Sequence, residues 1–366
     1  MALMFSEIKA LIQQMLGPAY DYVMPLVGIL VPFRYPGNFY WLFVLSTIAI
    51  ALVLYLTSET GKESRSLSGF WRFLAPREVY ATRSAWVDGQ YYVASSLVNM
   101  WLHLTAFAFA LGSTLSTAQV AKLGLTWLLG PGPEGVEPTL AARIAYSILW
   151  VAAADLAKWI THFLQHKVPY LWEFHKLHHS ATVLTPLTNL RVHPVDVMFE
   201  NFLTAITTGV VAGAFGYAFS GGILEITILG TTLVYFFSSI PANLRHSHIP
   251  LHYGRSVSRF LSSPAMHHVH HSCESRHFDK NFAVVFSLWD HLAGTNYIPA
   301  RDEKFQLGIG PESAEFSSLW QAYFYPFYSL SRLIRQQIAG VTAPQPQPDV
   351  ARATAPAAAP TNPPLP

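Results

Sequence analysis

The hydrophobic positions of this chain fall into long runs, and five of them approach the roughly 20 residues a helix needs to cross a bilayer. They extend from about Phe39 to Leu56, Tyr91 to Leu111, Ala145 to His166, Val195 to Phe219 and Ile223 to Ile240. The second is interrupted by Asn99 and His103, and the third carries Asp155 and Lys158. Only Ser220, Gly221 and Gly222 separate the fourth from the fifth, which predicts a tight hairpin whose two ends lie on one side of the membrane. The stretch up to Pro18 is apolar but holds Glu7 and Lys9, and it predicts an interfacial helix instead of a cleaved signal.

Composition supports a bilayer protein. Hydrophobic residues make up 51% of the 366 and charged residues only 12%, too few for two ordinary soluble domains. The 10 Trp and 17 Tyr suit a chain that passes the headgroup region repeatedly. A formal net charge of +2 gives no basis for nucleic-acid binding. Between Ser58 and Gln90 lie Lys62, Arg65, Arg72, Arg77 and Arg83, whereas Gly112 to Thr139 holds Lys122 alone among basic residues. The former segment is therefore expected in the cytoplasm. Alternation then puts Lys167 to Pro194, and everything after Pro241, on the cytoplasmic side. The tail beyond about Thr342 is Pro/Ala-rich and reads as disordered.

The candidate chemistry lies in the histidines. Of 16, only His103 falls outside His162 to His291. His162 and His166 close the third run as HxxxH, with Asp155 seven residues earlier on the same helical face. His175, His178 and His179 form an HxxHH, and His267, His268, His270 and His271 form another. Between these two lie His246, His248 and His252. One i, i+4 pair is an ordinary feature of a helix end, but four groups on one side of a membrane argue for a cation that gathers them. One metal takes about four to six ligands, so this many imidazoles argue for two. Cys273 is the only cysteine, which leaves His, Asp and Glu as ligands.

Longer motifs surround these groups: Phe174-His-Lys-Leu-His-His-Ser180, Arg191-Val-His-Pro194, Pro264-Ala-Met-His-His-Val-His-His-Ser272, Asp279-Lys-Asn-Phe282 and Trp289-Asp290-His-Leu-Ala-Gly-Thr295. Over about Ile144 to Tyr297 they resemble the fatty acid hydroxylase / sterol desaturase superfamily. Ala283 and Ala293 depart from it at positions usually filled by Gly and Phe, both concerned with packing.

The resemblance implies an all-α integral membrane protein. A stem of four or five transmembrane helices would carry a cytoplasmic helical cap holding a His-rich di-metal site. Its segments would be 1–140, an interfacial helix and two spans; 141–300, the catalytic domain; 301–341, an amphipathic segment; and 342–366, the disordered tail. Implied metal ligands are His162, His166, His175, His178, His179, His267, His270 and His271. From the remaining group His246 and His252 are favoured, with His248 close behind. His268 is a ligand or a supporting group, and His193, His277 and His291 are supporting or surface groups. Asp155 is expected to accept a hydrogen bond from a ligand imidazole, or else to pair with Lys158. Asn243, Asp279, Asn281 and Asp290 are further supporting candidates, of which Asn281 and Asp290 join Asp155 as the strongest. Two iron ions are the implied cofactor, with zinc possible in purified protein. The implied activity is O2-dependent hydroxylation or desaturation of a lipid, with electrons from a separate cytochrome b5-like or ferredoxin-like carrier. Two other classes fit a histidine cage: a zinc-dependent membrane hydrolase with Asp155 or Glu173 as base, and a metal transporter.

Overall fold

The computed structural model describes residues 41–58, 66–219, 222–223, 226–228 and 231–340. The expected interfacial helix, Lys62, Arg65, the 220–221 turn and the Pro/Ala-rich tail lie outside these residues. Among the described residues the regular structure is helical apart from one two-stranded ribbon. It begins with α1 (Trp41–Thr57), α2 (Leu67–Leu74) and α3 (Arg77–Tyr80), followed by α4 (Arg83–Leu129) and α5 (Leu140–Lys167). Then come α6 (Pro169–His179) and α7 (Pro194–Ala218), joined by a 3₁₀ turn at Pro186–Leu190. The ribbon β1 (Thr227–Ile228) and β2 (Thr231–Thr232) leads to α8 (Leu233–Ser239) and α9 (Ala242–Arg245). α10 (Pro264–His270), α11 (Leu288–Ala293) and α12 (Leu319–Ile338) complete the fold.

Local chemistry sets the boundaries that matter for the site. The hydroxyls of Thr82, Thr139 and Ser263 cap α4, α5 and α10 by accepting from backbone N–H groups three residues on. Val168 ends α5 and starts α6, and Pro169, at a position that needs no N–H donor, lets the chain turn at once. The imidazole of His193 caps α7: its Nδ1 accepts from Val195 N at 3.2 Å, so its Nε2 carries the proton and donates to Tyr323 O.

α5 and α7 are long and apolar enough to cross a bilayer. Only 22% of the residues in the apolar window of each are buried, which separates them from core helices of a soluble protein. α7 packs along α4 through small residues. A Cβ added at Gly209 would lie 2.7 Å from Thr117 Cβ, and one at Gly213 would lie 2.4 Å from Ala118 O. This Gly-xxx-Gly face lets the two backbones approach as helices do in lipid, where side-chain packing replaces the hydrophobic effect.

Two expectations change. The second apolar run is only part of α4, which continues as one helix to Leu129, about 70 Å in all, so the expected outer segment 112–139 is helical for most of its length. The fifth run, Ile223 to Ile240, is not a spanning helix: its described residues form the ribbon and the seven-residue α8. This irregular return stays against protein, where Ser147 Oγ accepts from Ile226 N at 2.8 Å and α8 packs on α5. It still brings the chain back to the end at which α7 begins, where α9 follows directly and His246 reaches His178.

Candidate metal centre

Nine imidazoles converge from the C-terminal half of α5, from α6, from the turn after α9 and from α10. One ring nitrogen from each of His162, His166, His175, His179 and His270 falls within 4.8 Å of the others, and the same holds for His178, His246, His267 and His271. The two groups adjoin. Ring centroids of His179 and His271 are 4.5 Å apart, and those of His267 and His270 are 5.5 Å apart. The helical spacing explains the division. His175 and His179, one turn apart on α6, serve the first group, while His178 points to the second.

In the second group the nitrogens face each other. Nε2 of His246 lies 3.2 Å from Nε2 of His178 and 2.9 Å from Nε2 of His267, which lies 3.1 Å from Nε2 of His271. Tetrahedral ligands about 2.0–2.1 Å from one cation would stand about 3.3 Å apart, close to this spacing. In the first group Nε2 of His166 and His179 are 3.1 Å apart, and Nε2 of His162, His175 and His270 are buried without a partner. Burial holds these bases neutral. It pushes His175 down to about 3, with Glu200 opposing the fall, and His246 down to about 3, aided by Arg245. His178, His179, His267, His270 and His271 fall well below the usual imidazole value for the same cause, compounded by one another. Inward-facing, unprotonated nitrogens of this kind fit a pair of metal ions.

The outer nitrogens are held by backbone. His162 Nδ1 donates to Phe282 O and His270 Nδ1 to Lys280 O, both at 2.7 Å, which leaves each Nε2 bare for a cation. His178 Nδ1 faces Arg191 O at 3.3 Å. The two carbonyls from 280 and 282 come from one strained loop in which Asp279 and Asn281 take φ of 59° and 60°. Asn281 locks that geometry: its Nδ2 donates to Met266 O and Tyr297 O, and its Oδ1 accepts from Tyr297 N. Asp290 accepts from Phe282 N, Ala283 N, Trp159 Nε1 and Thr295 Oγ1. Asp155 touches no imidazole. Its oxygens accept from Val285 N, Phe286 N and Trp289 Nε1, so it ties α5 to the same loop from the other side. Nor is Lys158 its hydrogen-bonding partner, since Lys158 pairs with Glu200 at 3.1 Å.

His248 and His252 are not brought into either group. His248 Nε2 donates to Phe73 O at 2.7 Å. His268 donates to Leu244 O, His277 lies between Ser272 Oγ and Glu303, and His291 is exposed. Asp279 pairs with Lys167, and Asn243 reaches Thr47.

The motifs did not single out two buried acids. Asp196, in the first turn of α7, places Oδ2 3.4 Å from His175 Nδ1. Asp88, on α4, pairs with Arg191 at 3.1 Å and accepts from Thr185 and Thr188. Arg191 also donates to Leu177 O, Ser180 Oγ and Phe316 O, which fastens the end of α6 that carries His178 and His179. An acid at a helix start has no period of its own, but its nearness in sequence to Arg191-Val-His-Pro194 was the available signal.

This arrangement defines a class. Residues 147–295, which carry all nine histidines, match the family model for fatty acid hydroxylase, in keeping with the resemblance of this segment to the fatty acid hydroxylase / sterol desaturase superfamily. Among curated proteins it is similar to an ornithine lipid hydroxylase of Rhizobium tropici, 24% identical over 83% of this chain and 81% of that one. It is also similar to human cholesterol 25-hydroxylase, 28% identical over 48% of this chain and 62% of the relative. Human alkylglycerol monooxygenase is 24% identical over 44% of this chain and 33% of its own length. No solved structure matches. By name these relatives are two hydroxylases and a monooxygenase, each of a lipid.

Proposed function

We propose that the protein is a multi-pass membrane enzyme that hydroxylates or desaturates a membrane lipid, using O2 and electrons from a separate carrier. The observation that carries this reading is the pair of adjoining imidazole groups with their bare nitrogens turned inward. His162, His166, His175, His179 and His270 would hold one iron ion, and His178, His246, His267 and His271 the other. The metals supply the redox chemistry that activates O2 toward a C–H bond. The protein orients His162 and His270 through Phe282 O and Lys280 O, sets the Asp196 carboxyl 3.4 Å from His175, and keeps the imidazoles unprotonated by burial. Loop 280–290, held by Asp155, Asn281 and Asp290, keeps bulk water from that face. The relative matched over most of its length is an ornithine lipid hydroxylase, and the others act on sterols and alkylglycerols by name, which supports a lipid substrate presented from the bilayer.

Metal content and O2 uptake test this directly. Detergent-purified protein is expected to hold about two Fe per chain, and His178→Ala/His270→Ala to lose most of it, together with lipid-dependent O2 uptake. No metal in carefully prepared wild type would sink the di-metal reading. Zinc alone, with no O2 uptake after iron reconstitution, would favour a hydrolase.

A further inference from the structure

On the membrane side of the histidines, a cavity of about 380 Å³ opens between α5, α7 and the returning chain. Trp150 and Val151 give it an apolar floor, and Lys158, Glu200 and Thr204 give it a polar wall. Lys158 stands four residues before His162, about 6 Å along the helix axis. We infer that this cavity receives the polar head of the lipid, and that Lys158 and Glu200 select a head bearing both an ammonium and a carboxylate. The inference rests on the reading of the protein as a lipid-directed membrane enzyme.

An ion pair carried by two membrane-crossing helices is costly, and an apolar pair of similar size generally stabilises a fold as well or better. Its presence therefore points to binding. The pair is not sealed in the core: the side chains of Lys158 and Glu200 are 24% and 41% exposed, and both line the cavity. Apart from the Tyr235 ring, over which the Lys158 ammonium lies at 5.7 Å, neither charge has a further hydrogen-bond or ion-pair partner among the described residues, because the oxygens of Asp155 are taken by Val285, Phe286 and Trp289. The Thr204 hydroxyl has no partner. A hydrocarbon ligand would cover the pair and gain nothing from it. A singly charged head would pair with one member and leave the other uncompensated in a low-dielectric wall. A zwitterion meets Lys158 with its carboxylate and Glu200 with its ammonium, and it adds no net charge to a wall that Asp155 also lines.

Equilibrium binding to the full-length, metal-loaded protein in nanodiscs tests this with three probes: N-dodecanoyl-lysine, its Nε-acetyl derivative, and the methyl ester of that derivative. They carry both charges, the carboxylate alone, and no charge. The zwitterion is expected to bind at least about tenfold more tightly than either of the others. Glu200→Gln should narrow its margin over the carboxylate-only probe. Lys158→Met/Glu200→Met, which removes the pair without leaving a buried charge, should melt near wild type, keep its metal and bind all three alike. Equal binding by wild type, or a preference that survives the double Met variant, would overturn the inference. The preference should also persist in metal-depleted His178→Ala/His270→Ala. Loss of the preference with metal and O2 uptake intact would defeat this inference alone, and the reverse pattern would defeat only the oxygenase reading.

Discussion

Asp196 shows how a single residue acts on a centre it does not enter. Its Oδ2 lies 3.4 Å from His175 Nδ1, an approach that falls short of a hydrogen bond but sets a carboxyl group where it can support that imidazole once a metal holds the ring. Asp196→Asn keeps the size of the group and removes the acid. Such supporting contacts commonly contribute 10- to 100-fold in metal affinity, so chelator competition should show a loss in that range, confined to one of the two metals. Unchanged affinity would reduce Asp196 to a residue of the first helical turn. At this scale the histidines were legible in the sequence because i, i+3, i+4 spacing puts imidazoles on one face of a helix whatever the tertiary fold. Asp155 stood out as an acid within an apolar run, but its partners were not legible. An acid seven residues before a ligand shares that ligand's face, but nothing local says that a loop 130 residues away will supply three N–H groups first. Backbone acceptors such as Phe282 O carry no side-chain signature at all.

At the scale of elements, the site depends on how closely α7 lies against α4, because α7 brings Asp196 and Glu200 to one edge of it. Gly213 permits that approach. A side chain there would meet Ala118 O at 2.4 Å and Ala121 Cβ at 2.6 Å, both on a helix that cannot yield locally. Gly213→Leu should lower the melting temperature and reduce metal content together. Gly216→Ala, with nothing within 4 Å of its Cβ, should leave metal content intact and gain up to about 1 kcal/mol from reduced freedom of the unfolded chain. Equal tolerance at both positions would show that the helices are not in contact along this face. The third and fourth apolar runs were readable to within a few residues, because length and continuity suffice for a spanning helix. The fifth was not. Ile223 to Ile240 is rich in β-branched residues, with Thr227, Thr231 and Thr232 among them, and a short apolar run of that kind has no period that separates strand from helix. Just before the ribbon, Ser147 of α5 accepts from Ile226 N, a contact that sequence pattern does not reveal.

For the whole molecule, charge and connection assign a side to the histidine cap. Arg72, Arg77 and Arg83 lie on α2, α3 and the start of α4, and Arg83 donates to Ser317 O, so this basic region sits beside the chain that follows the site. At the far end of α4 the link to α5 holds Glu134 and Glu137 with no Lys or Arg between Gly130 and Thr139. On the positive-inside rule we propose that the cap faces the cytoplasm. That is also where a soluble electron carrier could reach it. Cys273 is the only cysteine and is only partly buried, so Cys273→Ser gives a background free of thiols. Leu292→Cys, on the exposed side of α11 within the cap, and Glu134→Cys, in the far link, then report on opposite sides. A membrane-impermeant maleimide should label Leu292→Cys in inverted vesicles and not in intact spheroplasts, and Glu134→Cys the other way round. Labelling of both from one side would mean that α4 and α5 do not carry the chain across. The opposite pattern would keep the spans and turn the site outward, and a cytoplasmic electron donor would then have to be abandoned.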